Sequence, residues 1–310
     1  FDAAPIFAIP LTDDVGGLSV CEGMLIEGPQ GWGEFSPPPG CDARRAGRWL
    51  TAAIEVGTVG WPDPQRGRVP VAVSVPAVDP DRAHRIVTES GCRAAAVQVA
   101  GPLAEDLARL DAVRDALGPS GAIRCDAGGR WDVDTAVAAI GTVDRAAGGV
   151  EFVEQPCAAL EDVAAVRRRV DIAIAVGASI SDSAEPMRLR LADCADIAVL
   201  TVGALGGVRR ALRVAETSAL PCIVAGELQS SIGIAGGLAL AGVLPDVGFA
   251  GALGSARLLS GDLVSDARSL IPFDGYLPVA PMPPAPDPDR LRQFAPPDAA
   301  TEARWRALLS

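Results

Sequence analysis

Two carboxylates carry most of the chemical potential of this chain. Asp126 closes the run Ile123-Arg124-Cys125-Asp126, and Glu154 closes Phe152-Val153-Glu154, 28 residues later. A carboxylate at the end of a buried strand is costly unless a metal, an arginine or a proton neutralises it. Two such acids side by side raise the pKa of one of them, which yields a proton donor and a base near neutral pH. The structural alternative is an ion pair with Arg124 or Arg130, since structural ion pairs also populate such positions.

The remaining supply of proton shuttles is small. The chain contains no lysine, and all 27 basic residues are arginines. It has one histidine, His84, and one tyrosine, Tyr276. Arginine stays protonated and cannot act as an ordinary general base. His84 falls in a helical run ahead of the strands that bear the acids, so it reads as a partly exposed helix residue. Cys125 and Cys157 flank the acids, but no histidine is placed to activate either, and both read as core thiols. The seven cysteines form no CxxC pair. They fit free thiols in a reducing cytoplasm.

The elements that must position the acids follow from periodicity. From about residue 94, short apolar strands alternate with helices. Strands fall at 94–100, 122–126, 150–154, 172–176, 197–202 and 222–225. Helices fall near 103–117, 133–143, 160–169, 185–192, 208–218 and 232–243. The strand ends Gln98, Asp126, Glu154, Gly177, Thr201 and Glu227 are spaced by 28, 28, 23, 24 and 26 residues. That is the period of a βα unit, and in a β/α barrel the carboxyl ends of the strands form the site. An open doubly wound sheet is the alternative, although no GxGxxG follows the first strand. Upstream, residues 18–36 predict a hairpin, 42–57 a helix and 71–75 a strand. The Pro- and Asp-rich tail ends in a helical stretch at 299–310 that returns to the amino-terminal region.

Composition narrows the partners. The chain is 49% apolar with a formal charge of −12. An acidic surface repels nucleic acid and anionic membranes, and no stretch reads as a signal peptide or membrane span. A small-molecule ligand is the expected partner.

Several ordered motifs resemble the actinobacterial o-succinylbenzoate synthases of the enolase superfamily. They are Leu25-Ile26-Glu27-Gly28 with Gly31-Trp32-Gly33-Glu34-Phe35, Arg124-Cys125-Asp126-Ala127-Gly128-Gly129, Phe152-Val153-Glu154-Gln155-Pro156-Cys157, Ala198-Val199-Leu200 with Leu205-Gly206-Gly207-Val208, and Ser230-Ser231-Ile232-Gly233-Ile234-Ala235. The resemblance implies an α/β fold: a modified (β/α) barrel at 93–271 and an α+β capping domain at 1–92, completed by 272–310. It also implies a Mg²⁺ held by three strand-end carboxylates, and two facing lysines, one of which removes the proton alpha to the substrate carboxylate before water leaves.

Measured against that pattern, Asp126 and Glu154 match two metal ligands, and Gly177, ahead of Ala178-Ser179, stands for the third. Ala96-Val97-Gln98 stands for the Lys-x-Lys, and Thr201 for the opposite lysine. Gly16 and Cys21 stand for capping-region arginines. The expected metal site on Asp126 and Glu154 is therefore incomplete, and no cofactor is expected, Mg²⁺ being the one left open.

Three functions remain in view. In the first, Asp126 and Glu154 act as a metal-independent acid/base pair. Gln98, Arg124, Gly177, Ser179, Thr201, Glu227, Gln229 and Ser230 line the pocket. The chemistry would be cyclisation, dehydration or isomerisation of a small carboxylate or polyketide-like ligand. In the second, the barrel binds a ligand without turnover. In the third, Mg²⁺-dependent synthase activity survives on the remaining carboxylates, with Glu227 as a replacement ligand.

Overall fold

The computed structural model describes residues 3–99, 101–280 and 282–308. Residue 100 of the first expected barrel strand and residues 309–310 of the expected carboxyl-terminal helix lie outside these.

The amino-terminal strands β1 (Ile6–Val15), β2 (Leu18–Gly28) and β3 (Gly31–Phe35) form an antiparallel sheet in that order. Helix α1 (Ala43–Thr58) starts at Asp42, whose carboxylate accepts from the Arg45 N–H at 2.8 Å; this satisfies one of the unpaired amides of the first turn. The helix lies directly on the sheet. A Cβ on Gly33 would fall 2.0 Å from the Ala53 carbonyl oxygen, so only glycine allows this approach. Met24, Ile26, Phe35, Trp49 and Ala53 fill the space between them.

The second body is a ring of βα units. It comprises β4 (Arg68–Val75), α2 (Pro80–Ser90), β5 (Ala94–Gln98), α3 (Leu103–Leu117), β6 (Ala122–Asp126), α4 (Val133–Ala146), β7 (Val153–Glu154), α5 (Leu160–Arg167), β8 (Ile174–Val176), α6 (Ala178–Asp182), β9 (Ile197–Leu200), α7 (Val202–Leu205), α8 (Val208–Ser218), β10 (Cys222–Val224), α9 (Ser231–Val243) and β11 (Gly251–Gly254). The parallel strands run β10-β9-β8-β7-β6-β5-β4-β11. A bridge between Ala225 and Ala252, with the Gly226 N–H donating to the Ala252 carbonyl at 2.8 Å, joins β10 to β11. The sheet thus curls back on itself, as the βα alternation predicts.

After the ring, β12 (Tyr276–Pro278) pairs antiparallel with β4. Helices α10 (Pro288–Gln293) and α11 (Ala299–Ala307) follow. The tail packs on the cap: Trp305 meets Phe35 edge-on at 5.8 Å, and its indole N–H donates to Glu22 at 3.0 Å. Phe294 joins Phe7 and Ile9 in a second cap cluster.

Three local features differ from the sequence expectation. Strand β4 precedes residue 93 yet is paired within the ring on both sides, to β5 and β11. Strand β11, Gly-Ala-Leu-Gly, has too few branched residues to announce a strand. The helix expected at 185–192 is instead two 3-10 turns, Pro186–Arg188 and Leu191–Asp193. Glu185 stands before a proline, which disfavours helical backbone at that residue, and it takes φ −129°, ψ 67°. The helix of that unit is α6, directly after Gly177.

Candidate active site

Strand register sets the acids in a row. Gln98 pairs with Asp126, Asp126 with Glu154, and Glu154 with Ala175. All three side chains face a cavity of about 410 Å³ at the carboxyl end of the ring, which Gly177, Thr201 and Glu227 also line. The cap closes the far side with Val15 and Arg45.

Three carboxylates in one cavity repel one another; Asp126 and Glu154 are half-buried, and Glu227 is exposed to the cavity. Burial, then the neighbouring Asp126 charge, pushes Glu154 up to about 8, with Arg124 opposing. Burial, then Asp126, pushes Glu227 up to about 7, with Arg45 opposing. Asp126 is also raised by burial, but it accepts a hydrogen bond from the Gly128 N–H at 2.8 Å and feels Arg130. Both effects favour its anion, so Asp126 is the acid best equipped to stay ionised while its neighbours hold protons.

Arg124 does not line this cavity. Its guanidinium lies 5.5 Å from the centre of the Phe152 ring, and Nη1 donates to the Ala250 carbonyl. Its Nη2 is buried without a hydrogen-bond partner. Among the described residues neither Asp126 nor Glu154 makes an ion pair with an arginine, so the structural alternative is not realised as a salt bridge.

Ser179, Gln229 and Ser230 also lie off the cavity wall. Ser179 accepts from the Gln155 side-chain amide at 2.7 Å, and the side-chain Oε1 of Gln155 accepts from the Gly177 and Ser179 N–H groups at 3.3 and 3.0 Å. Gln155 itself takes a left-handed φ of 44°, a strained conformation for a side chain of its kind. Gln229 donates to Ser36 at 3.3 Å, and Ser230 donates to Glu34. Glu34 also accepts from Ser36 at 2.8 Å and from the Gly233 N–H at 3.2 Å, and burial pushes it up to about 7. This cluster fastens the cap to the start of α9.

Sequence reasoning gave no role to Arg45, Glu34 or Gln155. Arg45 pairs with Asp182 at 2.9 Å, while its Nε is buried without a partner. Glu34 carried one signal: a carboxylate in the apolar run Gly33-Glu34-Phe35. Arg45 carried none, because the cap reaches the ring only through tertiary packing. His84 stays in α2, remote from the cavity lining, with Nε2 3.3 Å from Asp115.

The resemblance implies a Mg²⁺ on three strand-end carboxylates. Among the described residues, no group of three or more His, Cys, Asp and Glu side chains is arranged to hold a metal ion. A Cβ on Gly177 would fall 2.1 Å from Glu154 Oε1. The Glu154 carboxylate therefore occupies the space through which a third ligand would enter. The residues present do not fit a three-carboxylate Mg²⁺ site.

The ring, its cap and a strand-end acid site define an enolase-like protein. The chain belongs to this superfamily: residues 79–283 match the enolase C-terminal domain-like family and residues 6–57 the enolase N-terminal domain-like family. Within it, the chain is o-succinylbenzoate synthase-like. It is 49% identical over 276 residues to the o-succinylbenzoate synthase of Thermobifida fusca, covering 88% of this chain and 86% of the relative. It is 41% identical to that of Mycolicibacterium smegmatis, covering 94% and 90%. Among solved structures, the muconate lactonizing enzyme of Pseudomonas fluorescens shares the fold with a TM-score of 0.80 at 20% identity, over 94% of this chain and 98% of that one. The L-Ala-D/L-Glu epimerase of Bacillus subtilis does so with 0.75 at 18%, over 90% and 96%.

Proposed function

We propose that this chain catalyses metal-independent proton transfer, with loss of water, on a small β-hydroxy carboxylate related to the precursor of o-succinylbenzoate. The observation that carries this reading is the set of three acids in one cavity, two of them protonating near neutral pH. Asp126, favoured as the anion, takes the proton alpha to the substrate carboxylate. Glu154, kept neutral, donates a hydrogen bond to the oxygen on which charge develops, a role open to a carboxylic acid held protonated at neutral pH. Glu227 gives its proton to the departing hydroxyl, which leaves as water. Solvent then takes the proton from Asp126 and returns one to Glu227, restoring the starting state. Arg45 at the cavity wall offers a cation for the substrate carboxylate.

A chelator-treated preparation incubated with the dehydration precursor of o-succinylbenzoate, and with related β-hydroxy acids, tests the proposal. Turnover should persist in chelator and fall roughly 10²–10⁴-fold in Asp126→Asn, the usual contribution of a general base. Turnover that appears only when Mg²⁺ is restored, or that Asp126→Asn leaves untouched, would sink it. Infrared spectra add a substrate-free check: the protonated-carboxyl band at neutral pH should weaken in Glu154→Gln.

A further inference from the structure

A second, larger cavity of about 720 Å³ lies on the opposite side of the segment that closes the candidate active site. Thr12 and Asp13 of β1, Arg82, Arg85 and Glu89 of α2, and the residues from Ala256 onward form its walls. The two cavities share a partition. Ser255 and Leu258 face the acids, while Ala256, Arg257 and Leu259 face the second cavity. The Ser255 hydroxyl donates to the Glu227 carbonyl at 3.1 Å, and Thr12 reaches the Leu258 carbonyl at 3.3 Å, so cap and ring both grip this turn.

Four arginines and four carboxylates line this cavity, and they are not all paired with one another. Asp13 is engaged by the Arg82 Nε at 2.6 Å, and Asp266 by Arg290 at 2.5 Å. Asp262 is engaged by Ser231 N–H at 3.1 Å, Leu263 N–H at 2.8 Å and Ser269 Oγ at 2.6 Å, and by the Ser231 hydroxyl. Among the described residues, Arg85 and Arg257 have no hydrogen-bond acceptor or ion-pair partner for their guanidinium groups, and both line the cavity. Glu89 is the one acid there left equally free. The formal charges of the lining balance, but Arg85 and Arg257 are its two guanidinium groups without a partner among the described residues, both exposed to the recess. Guanidinium forks match carboxylate and phosphate oxygens bidentately.

We infer that this cavity binds a small dianion, a phosphate or a short dicarboxylate, through Arg85 and Arg257. The site is separate from the acids of the proposed reaction and does not depend on that function. Because Arg257 belongs to the shared turn, an occupant would touch the back of the wall that carries Ser255.

Calorimetric titration of the full chain with inorganic phosphate, and separately with succinate, tests this at low ionic strength. One saturable site per chain is expected for at least one probe. Phosphate alone would identify a phosphoryl group as the ligand chemistry; both probes would identify any compact dianion. Arg85→Gln with Arg257→Gln should weaken binding roughly tenfold or more per arginine, the value of a charge-assisted pair. Neither side chain holds the fold together, so circular dichroism should be unchanged, and Arg168→Gln, exposed at the carboxyl end of α5, should bind as the parent does. Absence of saturable binding for both probes, or equal binding in the double variant, would overturn the inference.

Discussion

Glu154 lies where a side chain at position 177 would have to be. The 2.1 Å approach of Glu154 Oε1 to the Cβ position of Gly177, with Val199 Cβ at 3.2 Å on the other side, makes glycine a condition of the present carboxylate geometry. Gly177→Ala must rotate Glu154 away from the position it shares with Asp126 or push it into Val199. Overpacking of this kind costs typically about 1–3 kcal/mol. Urea unfolding should show that loss. If Glu154 swings out toward water, carbon-13 NMR of labelled glutamate should show its pKa falling. Unchanged stability and an unchanged Glu154 titration would mean that the side chain is not confined here.

The cap–ring cluster makes stability depend on pH. Glu34 is raised from 4.5 to about 7 by burial, so the folded state holds a proton that the unfolded chain has released. A raised carboxyl pKa contributes stability that is fully present below the unfolded value and is lost as pH rises through the folded one. The thermal midpoint should therefore fall as pH rises from about 4.5 to 7. Glu34→Gln keeps an acceptor for Ser36 and Ser230 but cannot ionise, so its midpoint should fall less over that interval. Parallel pH curves for parent and variant would refute the assignment. Glu154 and Glu227, raised to about 8 and about 7, contribute in the same direction and account for the slope that remains.

The strand ends were legible because an apolar run ends where its backbone leaves the sheet, and a carboxylate at that point is conspicuous. Gln98, Asp126, Glu154, Gly177, Thr201 and Glu227 all line one cavity for this reason. Positions set by side-chain direction were less legible. Arg124 is two residues from Asp126 and shares its strand face, but it lies deeper, where its partner is the Phe152 ring. Ser179, Gln229 and Ser230 stand just beyond strand ends, where the chain has already turned toward Gln155 or toward Glu34 of the cap. The cap's contributions, Arg45 and Glu34, depend on contacts between residues more than a hundred positions apart, which no local period encodes. Strand β11 escaped notice because glycine at both ends removes the branched side chains that mark a strand.

Arg124 offers a test of the field inside the ring. It is a buried cation with one amino group unpartnered, and burial lowers its pKa while Glu151 and Glu154 oppose that fall. Replacing a poorly paired buried charge by an apolar side chain of similar length is commonly neutral or stabilising. Arg124→Met should leave the unfolding midpoint unchanged or higher. Because Arg124 favours the Glu154 anion, its removal should move the Glu154 pKa further up, readable by the same carbon-13 titration. A downward movement would show that Arg124 does not act on Glu154 through its charge.

Two glycines, one facing helix α1 from β3 and one within the helix, separate packing from propensity. Gly33 faces the α1 backbone, with its Cβ position 2.0 Å from the Ala53 carbonyl oxygen and 2.8 Å from the Ala53 Cα. Backbone cannot yield as a side-chain tip can, so Gly33→Ala must lift α1 from β3 and carry Arg45 away from the cavity wall. A loss of about 1–3 kcal/mol or more is expected. Gly47 lies within the same helix with nothing within 4 Å of its Cβ position. Gly47→Ala should therefore stabilise the chain by about 0.5–1 kcal/mol, because alanine has less backbone freedom to lose in a helix. Chemical denaturation of the two variants checks both signs. If both stabilise, the contact between α1 and the cap sheet is looser than this geometry, and the placement of Arg45 against Glu227 fails with it.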